Sequence, residues 1–274
     1  MNYRHAFHAG NFADCFKHAL LVRLFAAMQR KPGGVFVLDT HAGIGRYDLA
    51  GDEATRTGEW RAGIARLLAS PAPELADYLA LAGADSGLYP GSPVLLRAML
   101  RAQDRLAACE LHLDDHAVLR HAFRRDAQVA IHLRDGWEAL GGLLPPRHEK
   151  RALVLIDPPY EATDEFARLA AGLRLGWSRF PSGVFAAWYP IKHRAPLRPF
   201  RAAIEASGVR DVIAIELFPR EPLDPARLNG CGLLIVNPPY GFDTEIEPAL
   251  AALLLGLGNR EPGEGFSVER WVDE

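Results

Sequence analysis

The sequence predicts an α/β protein built on a doubly wound, open sheet. Two observations support this fold class: short apolar runs alternate with helical patterns along the chain, and glycine-containing or acidic turns follow several of those runs. A chain of 274 residues with 49% hydrophobic and 24% charged residues can bury one large core. In folds of this class, ligands bind at the carboxyl ends of the strands near the point where the strand order reverses.

The elements follow in a regular order. Asn11 and Asp14 are suited to cap a first helix that runs to about Met28, and Pro32-Gly33-Gly34 then breaks the chain. Residues 49–105 carry helical segments broken by proline-rich turns. We therefore expect residues 1–48 and 106–274 to form the sheet domain and residues 49–105 to form a helical insertion. Seven strands are predicted at residues 35–39, 106–111, 129–133, 152–157, 183–189, 212–217 and 233–236.

The net charge bears on whether the protein binds nucleic acid. A net charge of -3 argues against a protein held to nucleic acid by bulk positive charge. Any nucleic-acid contact would have to be local, and two basic clusters are candidates, although a solvated helix face explains each of them better. They are Arg120, His121, Arg124 and Arg125, and Lys192, His193, Arg194, Arg198 and Arg201.

The three cysteines, Cys15, Cys109 and Cys231, lack metal-ligand spacing. We expect reduced thiols, a cytoplasmic protein and no metal site. We also expect no membrane segment, because no apolar run approaches the ~20 residues that a spanning helix needs.

Three predicted strands end in turns that suit a ligand. The first ends in Asp39-Thr-His-Ala-Gly-Ile-Gly45, whose glycines would let a ligand approach the backbone. Glu110 lies at the end of the second, where a carboxylate accepts hydrogen bonds from ribose hydroxyls, and Asp135-Gly136-Trp137 follows the third. Each feature also has an ordinary explanation, as a tight turn without a ligand, a chance acid or a core tryptophan.

The fourth predicted strand runs directly into Asp157-Pro158-Pro159-Tyr160. An amino group on a heteroaromatic ring or an acyl carbon delocalises its lone pair, so it is a poor nucleophile until it is reshaped. The Asp157 carboxylate and the Pro158 carbonyl can each accept one N–H, which aims the lone pair at a methyl donor. The prolines stiffen the loop, and Tyr160 offers a flat face on which a base can stack. The motif predicts methylation of a conjugated amine.

A second copy of this pattern, Asn237-Pro238-Pro239-Tyr240, follows the seventh predicted strand. In the seven-stranded methyltransferase arrangement the last strand is antiparallel, so its carboxyl end points away from the glycine turn of the first strand. We therefore expect Asp157 to lie at the active edge and the second copy to be a structural turn.

Five motifs occur in order along the chain: Tyr3-Arg4-His5-x-Phe7-His8-Ala9-Gly10-Asn11, Lys17-His18, Leu38-Asp39-Thr40-His41-Ala42-Gly43, Tyr89-Pro90-Gly91-Ser92-Pro93 and Ile156-Asp157-Pro158-Pro159-Tyr160. Together they resemble the RlmJ family, bacterial adenine-N6 methyltransferases of 23S ribosomal RNA. The likeness extends in order from residue 2 to about residue 240, and the helical insertion and the last thirty or so residues match less clearly.

The resemblance implies a Rossmann-like, seven-stranded S-adenosylmethionine-dependent methyltransferase fold with a helical insertion. It implies methylation of the N6 amine of adenine 2030 in 23S ribosomal RNA, either free or in an early particle. Asp157 would be catalytic together with Pro158 and Tyr160, and Tyr3 would meet the RNA. The residues implied to bind S-adenosylmethionine are Lys17, His18, His41, Ser92, Glu110, Asp135, Gly136 and Asp157.

Two alternatives remain at this point. DNA adenine and the glutamine amide of a protein present a similarly conjugated nitrogen, although Asn-Pro-Pro-Tyr is more usual for those acceptors. A non-catalytic nucleic-acid-binding module that retained the fold is more remote, because Asp157, Pro158 and Tyr160 are intact.

Overall fold

The structure is a computed structural model, which describes residues 4–83, 85 and 87–274. Its strands are β1 (Phe36–Asp39), β2 (Arg46–Asp48), β3 (Leu88–Pro90), β4 (Arg105–Glu110), β5 (Val129–Leu133), β6 (Ala152–Ile156), β7 (Val184–Ile191), β8 (Val212–Phe218), β9 (Gly230–Val236) and β10 (Gly265–Val272). Its helices are α1 (Phe12–Gln29), α2 (Asp52–Thr57), α3 (Ile64–Ala69), α4 (Ala76–Ala82), α5 (Ser92–Met99), α6 (Leu113–Ala122), α7 (Gly136–Gly142), α8 (Glu165–Arg179), α9 (Leu197–Ala206), α10 (Phe242–Glu245) and α11 (Glu247–Leu257).

The central sheet has the order β10-β8-β9-β7-β6-β1-β4-β5. Strands β5, β4, β1, β6 and β7 pair in parallel, whereas β9 is antiparallel to both β7 and β8. The predicted α/β fold class is confirmed, and each of the seven predicted strands corresponds to a strand of this sheet. The carboxyl ends of the five parallel strands meet at one edge, which is called the carboxyl edge below.

An eighth strand, β10, extends the sheet beyond the seven that the sequence predicts. It pairs antiparallel with β8 at the edge of the sheet. Most of its side chains are partly exposed, and it contains Ser267, Glu269 and Arg270. An edge strand needs no continuous apolar run, so the sequence pattern lacks the signal that marks the buried strands.

Helix α1 is buried on all sides. Asn11 caps it by accepting hydrogen bonds from the backbone N–H groups of Ala13 and Asp14, both at 3.0 Å. The helix packs against β9 and also against α4, α5 and α11. Asp14, Lys17 and His18 lie on its buried surface. Buried charged groups on a central helix need partners, and those partners define the site described below.

The segment that was predicted as a helical insertion contains α2 to α5. It also contains β3, which pairs antiparallel with β2 in a two-stranded sheet that the sequence does not predict. Apolar side chains of the segment, including Ile64, Leu67 and Tyr78, join the same core cluster as α1. The division into a sheet domain and an insertion at residues 49–105 stays a prediction. Within the described part of the chain, no helix combines the length and apolarity that crossing a membrane requires.

Candidate active site

Four acidic side chains lie at the ends of four adjacent parallel strands. Asp39 ends β1, Glu110 ends β4, Asp135 follows β5 and Asp157 follows β6. Because these strands pair in parallel in the order β6-β1-β4-β5, all four residues lie at the carboxyl edge. Open α/β sheets bind ligands at this edge.

Asp157 forms an ion pair with a lysine from α1. Lys17 Nζ lies 2.6 Å from Asp157 Oδ2 and 2.9 Å from Asp14 Oδ1. Asp14 also contacts His5, at 2.9 Å from Nε2. Lys17 is only 4% exposed, although a solvated helix face would be the usual place for such a lysine. Burial works against its charge, but the two carboxylates raise the pKa of Lys17 well above its usual value, so the side chain is an ammonium ion.

The loop after β6 holds Tyr160 in an uncommon backbone conformation. Tyr160 has a φ of 53°, in the left-handed region, and its hydroxyl donates to the backbone carbonyl of Trp188 on β7 at 2.8 Å. The Tyr160 ring contacts Phe166 and Trp188 edge-on, with centroid distances of 5.4 and 5.6 Å. A non-glycine residue at positive φ costs of order 1–3 kcal/mol, so these contacts have to hold the Tyr160 backbone in place.

Asp39 is buried with one oxygen unpaired. Ser92 Oγ donates to Asp39 Oδ2 at 2.7 Å, whereas Oδ1 has no partner among the described residues. Asp39 is 0% exposed, and burial raises its pKa to about 7 despite the hydrogen bond from Ser92. A buried acceptor without a partner is costly, which favours a ligand group that supplies the missing hydrogen.

The raised pKa of Asp39 predicts a pH-dependent stability. The unfolded carboxyl titrates near 3.8 and the folded one near 7, so the contribution of Asp39 to stability is full below pH 3.8 and is lost as pH rises to 7. Asp39→Asn cannot titrate, so its free energy of unfolding relative to the wild type should rise by roughly 2–4 kcal/mol between pH 4.5 and 7.5. Urea unfolding of both proteins at the two pH values measures this. An equal difference at both pH values would contradict the assignment.

Two predicted residues meet between β1 and α7. A Cβ atom added at Gly136 would lie 2.3 Å from the carbonyl oxygen of Thr40 and 2.8 Å from Cε1 of His41, so only glycine fits there. Burial lowers the pKa of His41 to about 4, so its ring is neutral at pH 7. The ring contacts Trp137 edge-on at 5.4 Å. Asp135 caps α7 by accepting from the Trp137 N–H at 2.7 Å.

Glu110 supports the glycine turn that follows β1. Its Oε2 accepts from the backbone N–H of Gly43 at 2.9 Å, and its Oε1 accepts from that of His112 at 2.7 Å. An ionised carboxylate offers about four acceptor positions, so Glu110 can still accept hydrogen bonds from a ligand. Burial raises the pKa of Glu110.

His18 contacts the 49–105 segment. Its Nδ1 lies 2.7 Å from the hydroxyl of Tyr89, which in turn lies 3.0 Å from the hydroxyl of Tyr78. His18 is 1% exposed, and burial lowers its pKa to about 3, so its ring is neutral. Tyr3, the residue predicted to meet RNA, lies outside the described residues.

The second Pro-Pro-Tyr copy lies at the opposite edge of the sheet. Val236 pairs with Phe185 near the amino end of β7, and Asn237 Nδ2 donates to the carbonyls of Pro181 and Gly183 at 2.8 and 2.7 Å. Tyr240 is fully exposed. Asn237 therefore closes a turn, at the edge of the sheet away from Asp39 and Asp157.

Four residues of the candidate site are not predicted from the sequence to take part in it. Asp14 and His5 complete the ion-pair chain that reaches Lys17, and the sequence presents Asp39 only as part of a motif, without a role of its own. Trp188 lies beside the site, with its ring centroid 5.8 Å from Lys17 Nζ. The spacing of Asp14 and Lys17, three residues apart on one helix face, is a usable signal, whereas nothing in the sequence marks Trp188.

Comparison with known proteins shows the family. Residues 32–272 match the family described as "Ribosomal RNA large subunit methyltransferase D, RlmJ". The chain belongs to this family. Two curated relatives carry the name "Ribosomal RNA large subunit methyltransferase J". The protein of Haemophilus influenzae is 37% identical over 280 residues and that of Escherichia coli is 35% identical, with 99% of each chain covered in both comparisons.

A solved structure matches nearly the whole chain. Protein LPL1258 from Legionella pneumophila shares 34% sequence identity with this chain and superposes with a TM-score of 0.86. The match covers 96% of this chain and 98% of that one. The family model and the two curated relatives confirm the family resemblance predicted from the sequence motifs.

Proposed function

We propose that this protein transfers the methyl group of S-adenosylmethionine to the N6 amine of an adenine in 23S ribosomal RNA. The observation that carries the proposal is the position of Asp157-Pro158-Pro159-Tyr160, at the carboxyl end of β6 and beside the acidic ends of β1, β4 and β5. The names of the curated relatives support ribosomal RNA of the large subunit as the substrate. The resemblance to the RlmJ family narrows the target to adenine 2030.

The acidic edge suits S-adenosylmethionine, which carries a sulfonium, an ammonium, a ribose diol and an adenine amine. The unpaired Oδ1 of the buried Asp39 suits the ammonium group, Glu110 has acceptor positions left for the ribose, and Asp135 suits the adenine amine. Lys17 is already bound by two carboxylates, so its role in the site is to position Asp157. When bound, the cofactor supplies an electrophilic methyl group on sulfur.

Asp157 is prepared to bind one amine hydrogen. Lys17 holds Oδ2, and Oδ1 has no hydrogen-bond partner among the described residues, so this oxygen can accept an N–H from the substrate. The Pro158 carbonyl accepts the other. Two fixed acceptors turn the nitrogen lone pair out of conjugation, and positioning of this kind is a large part of what an enzyme supplies.

Tyr160→Ala is expected to weaken productive RNA binding. Phe166 and Trp188 hold the Tyr160 ring in place, so a base can stack on it. Removing the ring would cost the complex ~1–3 kcal/mol of stacking energy, which corresponds to a rise in the KM for RNA of roughly 5- to 150-fold. Steady-state kinetics on 23S ribosomal RNA measure the change. Tyr240→Ala, which removes the exposed tyrosine of the second copy, is the matched control. Equal KM values for both variants would refute base stacking.

One experiment tests the proposed acceptor against its alternatives. The purified protein is incubated with labelled S-adenosylmethionine and, separately, with ribosomal RNA, DNA and protein from a strain that lacks the activity. We expect label in ribosomal RNA, recovered as N6-methyladenosine after digestion to nucleosides. Label only in DNA or only at glutamine of a protein would replace this proposal by one of the alternatives.

A further inference from the structure

One long stretch of the chain carries positive charge without any acid. Residues 166–204 contain no aspartate or glutamate, although the whole chain has a net charge of -3. This stretch covers most of α8, all of β7 and the greater part of α9. Its cations are Arg168, Arg174, Arg179, Lys192, Arg194, Arg198 and Arg201.

Part of this stretch lies at the carboxyl edge. Ile156 pairs with Ala187, and β7 continues past the end of β6 to Ile191, so the following loop projects beyond Asp157. The Tyr160 hydroxyl donates a hydrogen bond to the backbone carbonyl of Trp188, and Lys192 follows Trp188 by four residues. At about 3.3 Å per residue, Lys192 lies roughly 13 Å along the strand direction from that contact, a span of a few nucleotides.

The side chain of Asn229 fixes the backbone of the loop that carries Lys192. Asn229, 1% exposed, donates one amide hydrogen to the carbonyl of Lys192 and the other to that of Asp224, both at 2.6 Å. This bond joins the β7–α9 loop to the β8–β9 loop. A fixed backbone lets exposed charges meet a ligand with little further ordering.

Three cations, Lys192 and Arg194 in this loop and Arg198 at the start of α9, are exposed and form no close ion pair with another described residue. Across the part of the chain that the structure describes, no carboxylate lies within 4.0 Å of the side-chain nitrogens of Lys192, Arg194 or Arg198. Arg201, one turn further along α9, pairs instead with Glu205 and Glu269. Arg194 Cζ also lies 4.8 Å from the centroid of the Phe218 ring, and its charge acts to lower the pKa of Glu216, which burial raises. Lys192 and Arg198 have no such contacts in the described part of the chain, so their charges are the most available to an external anion.

The other basic cluster lies elsewhere. Arg124 and Arg125 follow α6 and precede β5, whose first residue Val129 pairs with Leu106 near the amino end of β4. They are exposed, but they lie at the edge opposite to Asp157. Only one of the two basic clusters is thus on the side of the proposed active site.

We propose that Lys192, Arg194 and Arg198 contact the phosphates of the RNA strand on one side of the target adenine. This inference rests on the proposed function. The cations lie beside the Tyr160 loop, where a strand that delivers a base to Asp157 has to pass. Phosphate contacts of this kind set register and affinity without reading sequence.

The test compares the double variant Lys192→Ala/Arg198→Ala with the control Arg124→Ala/Arg125→Ala, which removes the same charge at the opposite edge. Binding of 23S ribosomal RNA is measured between 50 and 300 mM salt. Each lost phosphate contact lowers the slope of log affinity against log salt by about 0.7–0.9. We expect the slope of the first variant to fall by about 1.5 and its KM for RNA to rise about 10-fold.

The same variant should match the wild type in three other quantities. These are kcat at saturating RNA, the affinity for S-adenosylmethionine measured by calorimetry, and the melting temperature. The control should match the wild type throughout. If the wild type methylates RNA and the first variant keeps its salt slope and KM, the inference is wrong and the proposed function stands. If the wild type neither binds nor methylates RNA, both are wrong.

Discussion

Replacing Asp157 with alanine is expected to nearly abolish methyl transfer, lowering kcat by ~1000-fold, the upper end of the range seen when one fixed polar group is removed from an active site. The variant loses the carboxylate that accepts the amine hydrogen, whereas Asp39, Glu110 and Asp135 remain. Affinity for S-adenosylmethionine should therefore stay within a few-fold of the wild type. Single-turnover kinetics with labelled S-adenosylmethionine, and calorimetry of its binding, measure the two quantities.

The second motif copy provides the control for this substitution. Asn237→Ala removes hydrogen bonds to Pro181 and Gly183, so it should lower the free energy of unfolding by about 1–3 kcal/mol but leave kcat unchanged. The pair distinguishes the two copies. Wild-type activity in Asp157→Ala, or its loss in a folded Asn237→Ala, would show that the wrong copy has been assigned.

Gly136→Ala is expected to damage the site through the backbone. The added methyl would lie 2.3 Å from the carbonyl oxygen of Thr40. Thr40 donates two hydrogen bonds to the carbonyl of Leu155 on β6, from its N–H at 3.1 Å and from its hydroxyl at 2.9 Å. Because these bonds fix Thr40, the backbone of the turn before α7 has to move instead. We expect cofactor affinity to fall at least 10-fold and the free energy of unfolding to fall by about 1–3 kcal/mol. Calorimetry and urea unfolding measure these changes.

Gly141→Ala is the matched control in the same helix. A Cβ atom at Gly141 would meet its nearest neighbour, Leu175 Cδ2, at 3.9 Å, which is ordinary contact. Alanine is the better helix former, so this variant should be more stable by about 0.5–1 kcal/mol and bind the cofactor normally. If both glycine variants behaved alike, the close approach of Gly136 to Thr40 would have no functional meaning.

The buried parallel strands and their ends could be predicted from the sequence. A strand buried on both faces, such as β6, is a continuous apolar run, and the residue after it marks the carboxyl edge. The topology then separates Asp157 from Asn237, because β9 is antiparallel to β7. Strand order and direction alone are enough to separate the two copies, and the family resemblance also implies both.

The ion-pair chain could not be predicted in the same way. Lys17 resembles a surface lysine in sequence, and its burial depends on how α1 packs between the sheet and the helices of the 49–105 segment. Asp14 pairs with both Lys17 and His5. In the sequence it resembles a helix cap, because it lies in the first turn of α1 and its partners are known only from the packing. β10 and the β2–β3 pair lacked a signal because half-exposed or very short strands contain too few apolar residues to stand out.

The most direct test of the proposed function is a map of N6-methyladenine in 23S ribosomal RNA from cells with and without this protein. We predict that one adenine, at position 2030, loses its N6 methyl group when the gene is deleted. The wild-type gene should restore the methyl group, and the Asp157→Ala variant should not. A methylation map that is identical in all four strains would contradict the proposed function.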